Sequence, residues 1–248
     1  MTYNILCGGL AKVNGEERLN SILETVQDCA PDILALQEAN HFESPELAKR
    51  FSKALLLPYY ALAEAAIYED GERYNVIVFS RYPISKVYRF PDCQFQSAAI
   101  SVMLETPVGK ISICNAHLHA FSETHRVKEL GCILAYQCGF QDQLFVGDMN
   151  AISRSDTYAD DATEFELHYE VTDMLNREFT DVFAATSGPD QWTHPSRIKA
   201  DHTRKVFRRI DYVFASPSLS RRVVRAKVIT SEKAHRASDH FPLIVEFE

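Results

Sequence analysis

At 248 residues and 46% hydrophobic, with 15 Phe and 11 Tyr, the chain has the size and composition of one folded domain spanning 1–248, and its Gly and Pro are too few for a low-complexity protein. A formal net charge of -8 lacks the basic balance of non-specific nucleic-acid binding, although a local basic groove is compatible with it. No run of about 18 apolar residues occurs, so no transmembrane helix is expected, and without a long hydrophobic hairpin no membrane insertion is expected either.

The N-terminus, MTYNILCGGL, lacks the basic and apolar regions of a signal peptide and reads as a strand at 1–6, in a cytoplasmic protein. An amphipathic helix follows at 16–29, with Leu19, Ile22, Leu23 and Val26 on one stripe, and then the strand DILALQE at 32–38. Ser44-Pro45 opens a second helix over 44–55. Strands come next at 74–80, 98–106 and 110–118, rich in Val, Ile, Leu and Phe. A third helix at 124–138 precedes the strand QLFVGD, 143–148, and the acidic residues 153–180 read as helix and loop. RIDYVFAS, 209–216, and PLIVEFE, 242–248, complete the strands. Adjacent strands within a mixed order point to an α/β protein with paired strands. The six cysteines, Cys7, Cys29, Cys93, Cys114, Cys132 and Cys138, match no zinc or redox spacing, so buried free thiols in a reducing compartment are expected.

Polar residues recur in or just beyond these apolar strands. Asn4 lies in the first and Glu38 ends the second; Asn115 and His117 share a face by two-residue alternation. Asp148 and Asn150 close the LFVGDMN run, Asp211 sits inside RIDYV, and Asp239-His240 precedes the last strand. Taken singly, each has a plainer reading as a cap, a ladder end or a buried structural acid. His119 and His125 read as ordinary polar-face histidines. Together, carboxylates suited to a hard divalent cation and a His beside an Asp suit metal-assisted hydrolysis of a phosphate ester.

In order, TYNIL, DILALQEAN, YNVIVFSRYPI, NAHLHA, VGDMNA, RRIDYVFAS and SDHFPLIVEF resemble the endonuclease/exonuclease/phosphatase superfamily, the group of deoxyribonuclease I, along the whole chain. The resemblance implies a four-layer α-β-β-α sandwich of two packed mixed β-sheets. It implies that Glu38 is the principal ligand of Mg²⁺ or Mn²⁺, with Asn4 beside it and Asp239 completing the metal or water environment. Asp148 would orient or deprotonate the attacking water and Asn150 would bind the scissile phosphate. His240, held by Asp211, would stabilise the transition state. His117 matches the His of the family's NTHL-type motif, although Ala116 stands where that motif has Thr. Glu72 is similar in setting to a Glu that pairs with that His, which would make a Glu72–His117 pair.

Residues 194–209 concentrate Arg197, Lys199, Arg204, Lys205, Arg208 and Arg209, a candidate polyanion contact in an acidic chain, with Trp192 available to stack on a base. The alternative for that cluster is a solvated loop. The acidic stretch Asp156 to Glu166, if at the rim, would repel a long duplex. The function expected is a monomeric Mg²⁺-dependent phosphodiesterase acting on nucleic acid or nucleotide-like esters. The alternatives are a phosphatase or phosphodiesterase for a small molecule or lipid headgroup, and a non-catalytic binding member.

Overall fold

The computed structural model describes residues 1–10, 18–69, 71–137, 140–157, 168–187, 191–198 and 207–248. Among these, the strands in chain order are β1 (Thr2–Asn4), β2 (Ile33–Gln37), β3 (Tyr59–Ala63), β4 (Val76–Ser80), β5 (Ile84–Tyr88) and β6 (Ala98–Thr106). They continue as β7 (Gly109–His117), β8 (Gln143–Asp148), β9 (Thr180–Asp181), β10 (Asp211–Ala215), β11 (Val223–Val228) and β12 (Leu243–Phe247). One six-stranded sheet runs β11-β12-β1-β2-β4-β3 and the other β5-β6-β7-β8-β10-β9. Both sheets are mixed, because β1 is parallel to β2 and β7 to β8 while their other neighbours are antiparallel.

The eight strands expected from the sequence are all present. The four additional ones, β3, β5, β9 and β11, are the four sheet edges. Edge strands are half solvated, so segments such as ISKVY and VVRAKV carry no continuous apolar run that would mark them. Residues 153–180, expected as helix and loop, contain a short helix and, at Thr180, the start of edge strand β9.

The sheets face each other across a branched aliphatic core in which Ala35, Val76 and Val78 meet Ile100, Val102, Ile113, Val146 and Val213. Helices cover the outer faces: α1 (Leu19–Cys29) and α2 (Pro45–Leu55) lie on the first sheet, α3 (Glu123–Gln137) and α4 (Glu170–Leu175) on the second. Short helices α5 (Val182–Thr186), α6 (Pro217–Ser220) and α7 (Glu232–Ala237) complete the set. Ile22, Val26 and Phe51 bury Tyr3, Leu36 and Phe79, while Leu130, Ile133 and Val171 bury Phe145, Tyr212 and Phe214. Each such buried side chain contributes about 1.5–3 kcal/mol. Pro45 occupies the first turn of α2, where its missing N–H costs nothing. This is the expected four-layer α-β-β-α sandwich.

The cysteines depart from expectation. Cys93 and Cys132 form a disulfide with Cα atoms 6.0 Å apart, fastening the segment after β5 to α3. Neither spacing nor composition marked the pair, because the partners meet only when α3 packs on its sheet. Cys7, Cys29 and Cys114 form no disulfide among the described residues, but only Cys114 is buried as expected, Cys7 and Cys29 being half-buried; Cys138 lies outside the described residues.

Candidate active site

The C-terminal ends of β1, β2, β7 and β8 and the starts of β10 and the β12 approach meet at one end of the sandwich. Register brings this about: Asp148 stands opposite His117 on one side and Asp211 on the other. Asn4 stands beside Gln37, one residue before Glu38. A polar staple holds the two sheets together at this end. Gln37 Nε2 donates to Asn115 Oδ1 at 2.7 Å, and Asn115 Nδ2 donates to the Leu36 and Ile77 carbonyls. Asn115 therefore ties sheet to sheet and does not simply end a ladder.

Asp148 is the hub. Its Oδ2 accepts from Asn4 Nδ2 at 3.0 Å and lies 3.6 Å from His117 Nε2 and 3.7 Å from His240 Nε2. The other hydrogen of the Asn4 amide goes to Glu38 Oε1 at 3.2 Å, so one buried carboxamide holds both acids. The backbone N–H of Cys7 donates to Glu38 Oε2 at 2.9 Å, and that of Asn150 to Asp148 Oδ1 at 2.9 Å. Asn150 Nδ2 donates to the Leu118 carbonyl, leaving its second N–H available. His240 Nδ1 meets Asp211 Oδ2 at 2.8 Å. Asn4, Asp148, Asp211, Asp239, His117 and His240 are buried, whereas Glu38 and Asn150 are half-buried.

The local backbone is built for this convergence. Leu6, Cys7, Glu38 and Asn150 all take positive φ, at 50°, 50°, 49° and 48°. Such conformations are costly for residues with a Cβ and cluster where function needs a particular aim. Gly147, at φ 130°, allows the β8 end to press against β7; any Cβ there would collide with the Ala116 carbonyl.

Burial works against a charged His240, but Asp211, with Asp148 and Asp239, outweighs it and raises the imidazole to about 10. Burial pushes the Asp211 carboxyl up while the imidazole pulls it back. The pair is therefore an imidazolium held by a carboxylate.

Sequence reasoning passed over His194. Its ring centroid lies 4.7 Å from that of His240 and its Nε2 is 3.8 Å from Asp239 Oδ2. Burial, and then the neighbouring His240, lowers it to about 3. The signal was present in WTHP, directly before the basic run, but nothing in its spacing tied it to Asp239, 45 residues on.

Three sequence expectations are corrected. Glu72 does not pair with His117: its Oε2 accepts from Asn40 Nδ2 at 2.7 Å and faces His41 Nε2 at 3.4 Å, because the loop ending at β4 carries it to the β2–α2 turn. Arg209 is no polyanion contact. It is 1% exposed, donates to Asp156 and Asp181 and stacks on Tyr212 at 4.4 Å. Asp156 is consequently an internal counter-charge and not a rim acid. Arg197 is exposed and paired with Glu232 at 3.0 Å; Lys199, Arg204, Lys205 and residues 158–166 lie outside the described residues. Trp192 packs on Phe207 with ring centroids 4.4 Å apart.

The donor set suits a divalent cation. Among the described residues, neither Glu38 nor Asp148 pairs with a lysine or arginine; their partners are amides, backbone N–H groups, a thiol and imidazoles. Acceptor-only carboxylates brought together with no lysine or arginine, and with the His240 imidazolium beside Asp211 and Asp148, match the oxygen-rich chemistry of Mg²⁺ or Mn²⁺.

No curated protein matches the chain. Among solved structures it is similar to an endonuclease/exonuclease/phosphatase family protein from Leptotrichia buccalis, with 19% identity, TM-score 0.74, and 100% of this chain and 98% of that one covered. It is similar to an AP endonuclease from Archaeoglobus fulgidus, with 19% identity, TM-score 0.73 and coverages of 100% and 98%. A 3′ phosphatase, NExo, from Neisseria, bound to a product DNA hairpin, matches with 20% identity, TM-score 0.71 and coverages of 100% and 98%. These likenesses establish the fold. The model of the endonuclease/exonuclease/phosphatase family matches residues 1–240, and the chain belongs to that family of phosphate-ester hydrolases.

Proposed function

We propose that the chain is a Mg²⁺- or Mn²⁺-dependent phosphodiesterase acting on nucleic acid or nucleotide-like esters, with residues 1–248 forming one catalytic domain that works as a monomer. The observation that carries this is the Asp148 hub, which sets a carboxylate against Asn4 at 3.0 Å and between His117 and His240, with Glu38 on the same amide. The DNA hairpin bound by the NExo structure and the AP endonuclease among the similar folds support the nucleic-acid reading over the small-molecule one.

In this reading Glu38, Asn4 and Asp239 hold the cation, which when bound supplies Lewis-acid neutralisation of phosphate charge. Asp148 orients the attacking water and accepts its proton, at the one point that Asn4, His117 and His240 all face. Asn150 directs its uncommitted N–H at a phosphate oxygen. His240, kept positive by Asp211, stabilises the charge that builds on the phosphorus oxygens as the bond to water forms. His117 braces Asp148 from the β7 side. Arg197, Lys199, Arg204 and Lys205 bind flanking phosphates. The cytoplasmic location was expected from the N-terminus and from free thiols, and the Cys93–Cys132 bond weakens the second of these grounds. No helix among the described residues is long and apolar enough to cross a membrane.

The test is a panel of a chromogenic phosphodiester, a phosphomonoester, abasic-site DNA, single-stranded DNA and sphingomyelin, each with Mg²⁺, Mn²⁺ and EDTA. Turnover of a nucleic-acid substrate that EDTA abolishes and Mg²⁺ restores is expected, with Glu38→Gln weakening metal binding in a folded protein. Full activity in excess EDTA, or turnover of sphingomyelin alone, overturns the reading.

A further inference from the structure

Beside the oxygen-rich donors around Glu38 stands a group of different chemistry. His194 lies on the connection leading into β10, held by backbone hydrogen bonds with Arg208 in both directions, and Asp239 and His240 lie on the approach to β12. The backbone N–H of Ser196 donates to the Asp239 carbonyl, and that of Phe241 to the Thr193 carbonyl, so the two segments are locked together on both sides of the group. His194, Asp239 and His240 each offer one ligand atom, all within 4.8 Å of one another, and His194 Nε2 is 3.8 Å from Asp239 Oδ2. Ligands bound to one tetrahedral ion at about 2.0–2.1 Å stand about 3.3 Å apart, so small side-chain shifts close the set.

From this geometry we propose a second cation site, formed by His194, Asp239 and His240, that takes a borderline transition metal such as Zn²⁺ or Co²⁺ and inhibits the enzyme when filled. Two imidazoles and one carboxylate select such ions over Mg²⁺, which prefers oxygen ligands and retains its waters. The available ring nitrogens support the assignment. His194 Nδ1 is buried with no hydrogen-bond partner, leaving Nε2 as its working atom. His240 Nδ1 is engaged by Asp211, which orients the ring in the way an outer carboxylate orients a metal-binding histidine, and its Nε2 becomes the ligand atom when the incoming metal displaces the imidazolium proton to solvent. Inhibition follows from the proposed function, on which this part rests. A metal on His240 Nε2 occupies the nitrogen that faces Asp148, the position from which His240 stabilises the transition state.

The binding test needs no substrate. The metal-free protein is titrated with Co²⁺ and its visible absorption recorded, in wild type, His194→Gln, His194→Cys and Glu38→Gln. Wild type is expected to take up one equivalent with the intense bands of low-coordinate Co²⁺, which excess Mg²⁺ weakens only through competition for Asp239, the ligand the two sites share. His194→Gln should weaken binding at least about 10-fold, the scale on which even supporting partners of a metal ligand count. His194→Cys should add a thiolate-to-cobalt charge-transfer band absent from wild type, which a merely packed His194 would not produce. Glu38→Gln should keep the bands. A spectrum and affinity unchanged by both His194 substitutions, or bands lost in Glu38→Gln, overturn the site. In the activity arm, Zn²⁺ inhibition is read against each protein's own Mg²⁺-supported rate, and equal inhibition of wild type and His194→Gln overturns the inhibitory role. Failure of the proposed function shows in the substrate panel and leaves the cobalt titration intact.

Discussion

Two buried ionic clusters flank the start of β10, built on opposite plans. Just before the strand, the Arg209 guanidinium donates to Asp156 at 2.9 Å and Asp181 at 2.7 Å and lies over the Tyr212 ring. Asp181 and Tyr212 with Asp156 raise its pKa far above the ordinary value although burial opposes this. Two residues on, Asp211 joins Asp148 and Glu38 in a group whose described partners are imidazoles, amides, backbone N–H groups, a hydroxyl and a thiol, with no lysine or arginine among them. One cluster supplies its own strong cation; the other leaves carboxylates facing a half-open mouth. Buried charge by itself therefore does not mark a site. An excess of carboxylates over internal cations does, with three acids, Glu38, Asp148 and Asp211, sharing the single His240 imidazolium, because desolvated carboxylates are tolerated only where something from outside completes them.

The comparison is broken most forcefully by removing one charge from each cluster. Asp148→Asn is expected to lower kcat about 10²–10⁴-fold, or up to about 5.5 kcal/mol, in a protein whose melting temperature is unchanged or higher. His240→Ala should match it. Steady-state kinetics on the preferred substrate, beside a thermal melt, check both, and a loss below tenfold would remove Asp148 from the hub role.

Arg209→Ala should do the reverse, costing about 3–5 kcal/mol of stability by stranding Asp156 and Asp181 in the interior. Urea denaturation reads this, and kcat per folded molecule should hold. Arg209→Met combined with Asp156→Asn and Asp181→Asn should recover most of the loss, since no buried charge then lacks a partner. A mild single mutant would mean that water reaches the pair.

Asp211→Asn gives a smaller effect, about tenfold in kcat, because it acts through His240. Joined to His240→Ala it should add little, as expected of residues working as a unit. It also carries a pH signature in metal-free protein. Because the folded His240 is raised from 6.5 to about 10, its contribution is fully present below pH 6.5 and is lost as pH rises toward 10. The melting-temperature gap between wild type and Asp211→Asn should shrink across that window, and a constant gap would refute the imidazolium pairing. Smallest of all, Arg197→Ala should change stability by no more than about 1 kcal/mol, since its ion pair with Glu232 is solvent-exposed.

The eight interior strands and three long helices were legible because burial on one or both faces leaves its period in the residues. Edge strands β3, β5, β9 and β11 were not, since solvent on one flank relaxes the demand for apolar side chains. At the site, Asn4, Glu38, His117, Asp148, Asn150, Asp211, Asp239 and His240 could be picked out because each interrupts or follows an apolar strand. Arg209 was misread for the complementary reason. It sits in a basic run whose neighbours are polar, and nothing local distinguishes an arginine destined for burial from one that faces solvent. The disulfide and His194 were invisible for a further reason: their partners, 39 and 45 residues away, meet them only by packing.

Taken alone, then, the amino-acid order determined an α/β protein with paired strands and the set of polar groups at strand ends, because hydrophobic alternation and the chemistry of single residues are local properties; the layered sandwich was implied only by the family resemblance. Only the tertiary structure decided which of those groups share a hub, that Glu72 turns to Asn40 and His41, that Arg209 is neutralised from within, and that His194 stands beside His240. Those outcomes depend on strand register and on which charges find a counter-charge after desolvation, and both are settled by contacts between segments far apart in the chain.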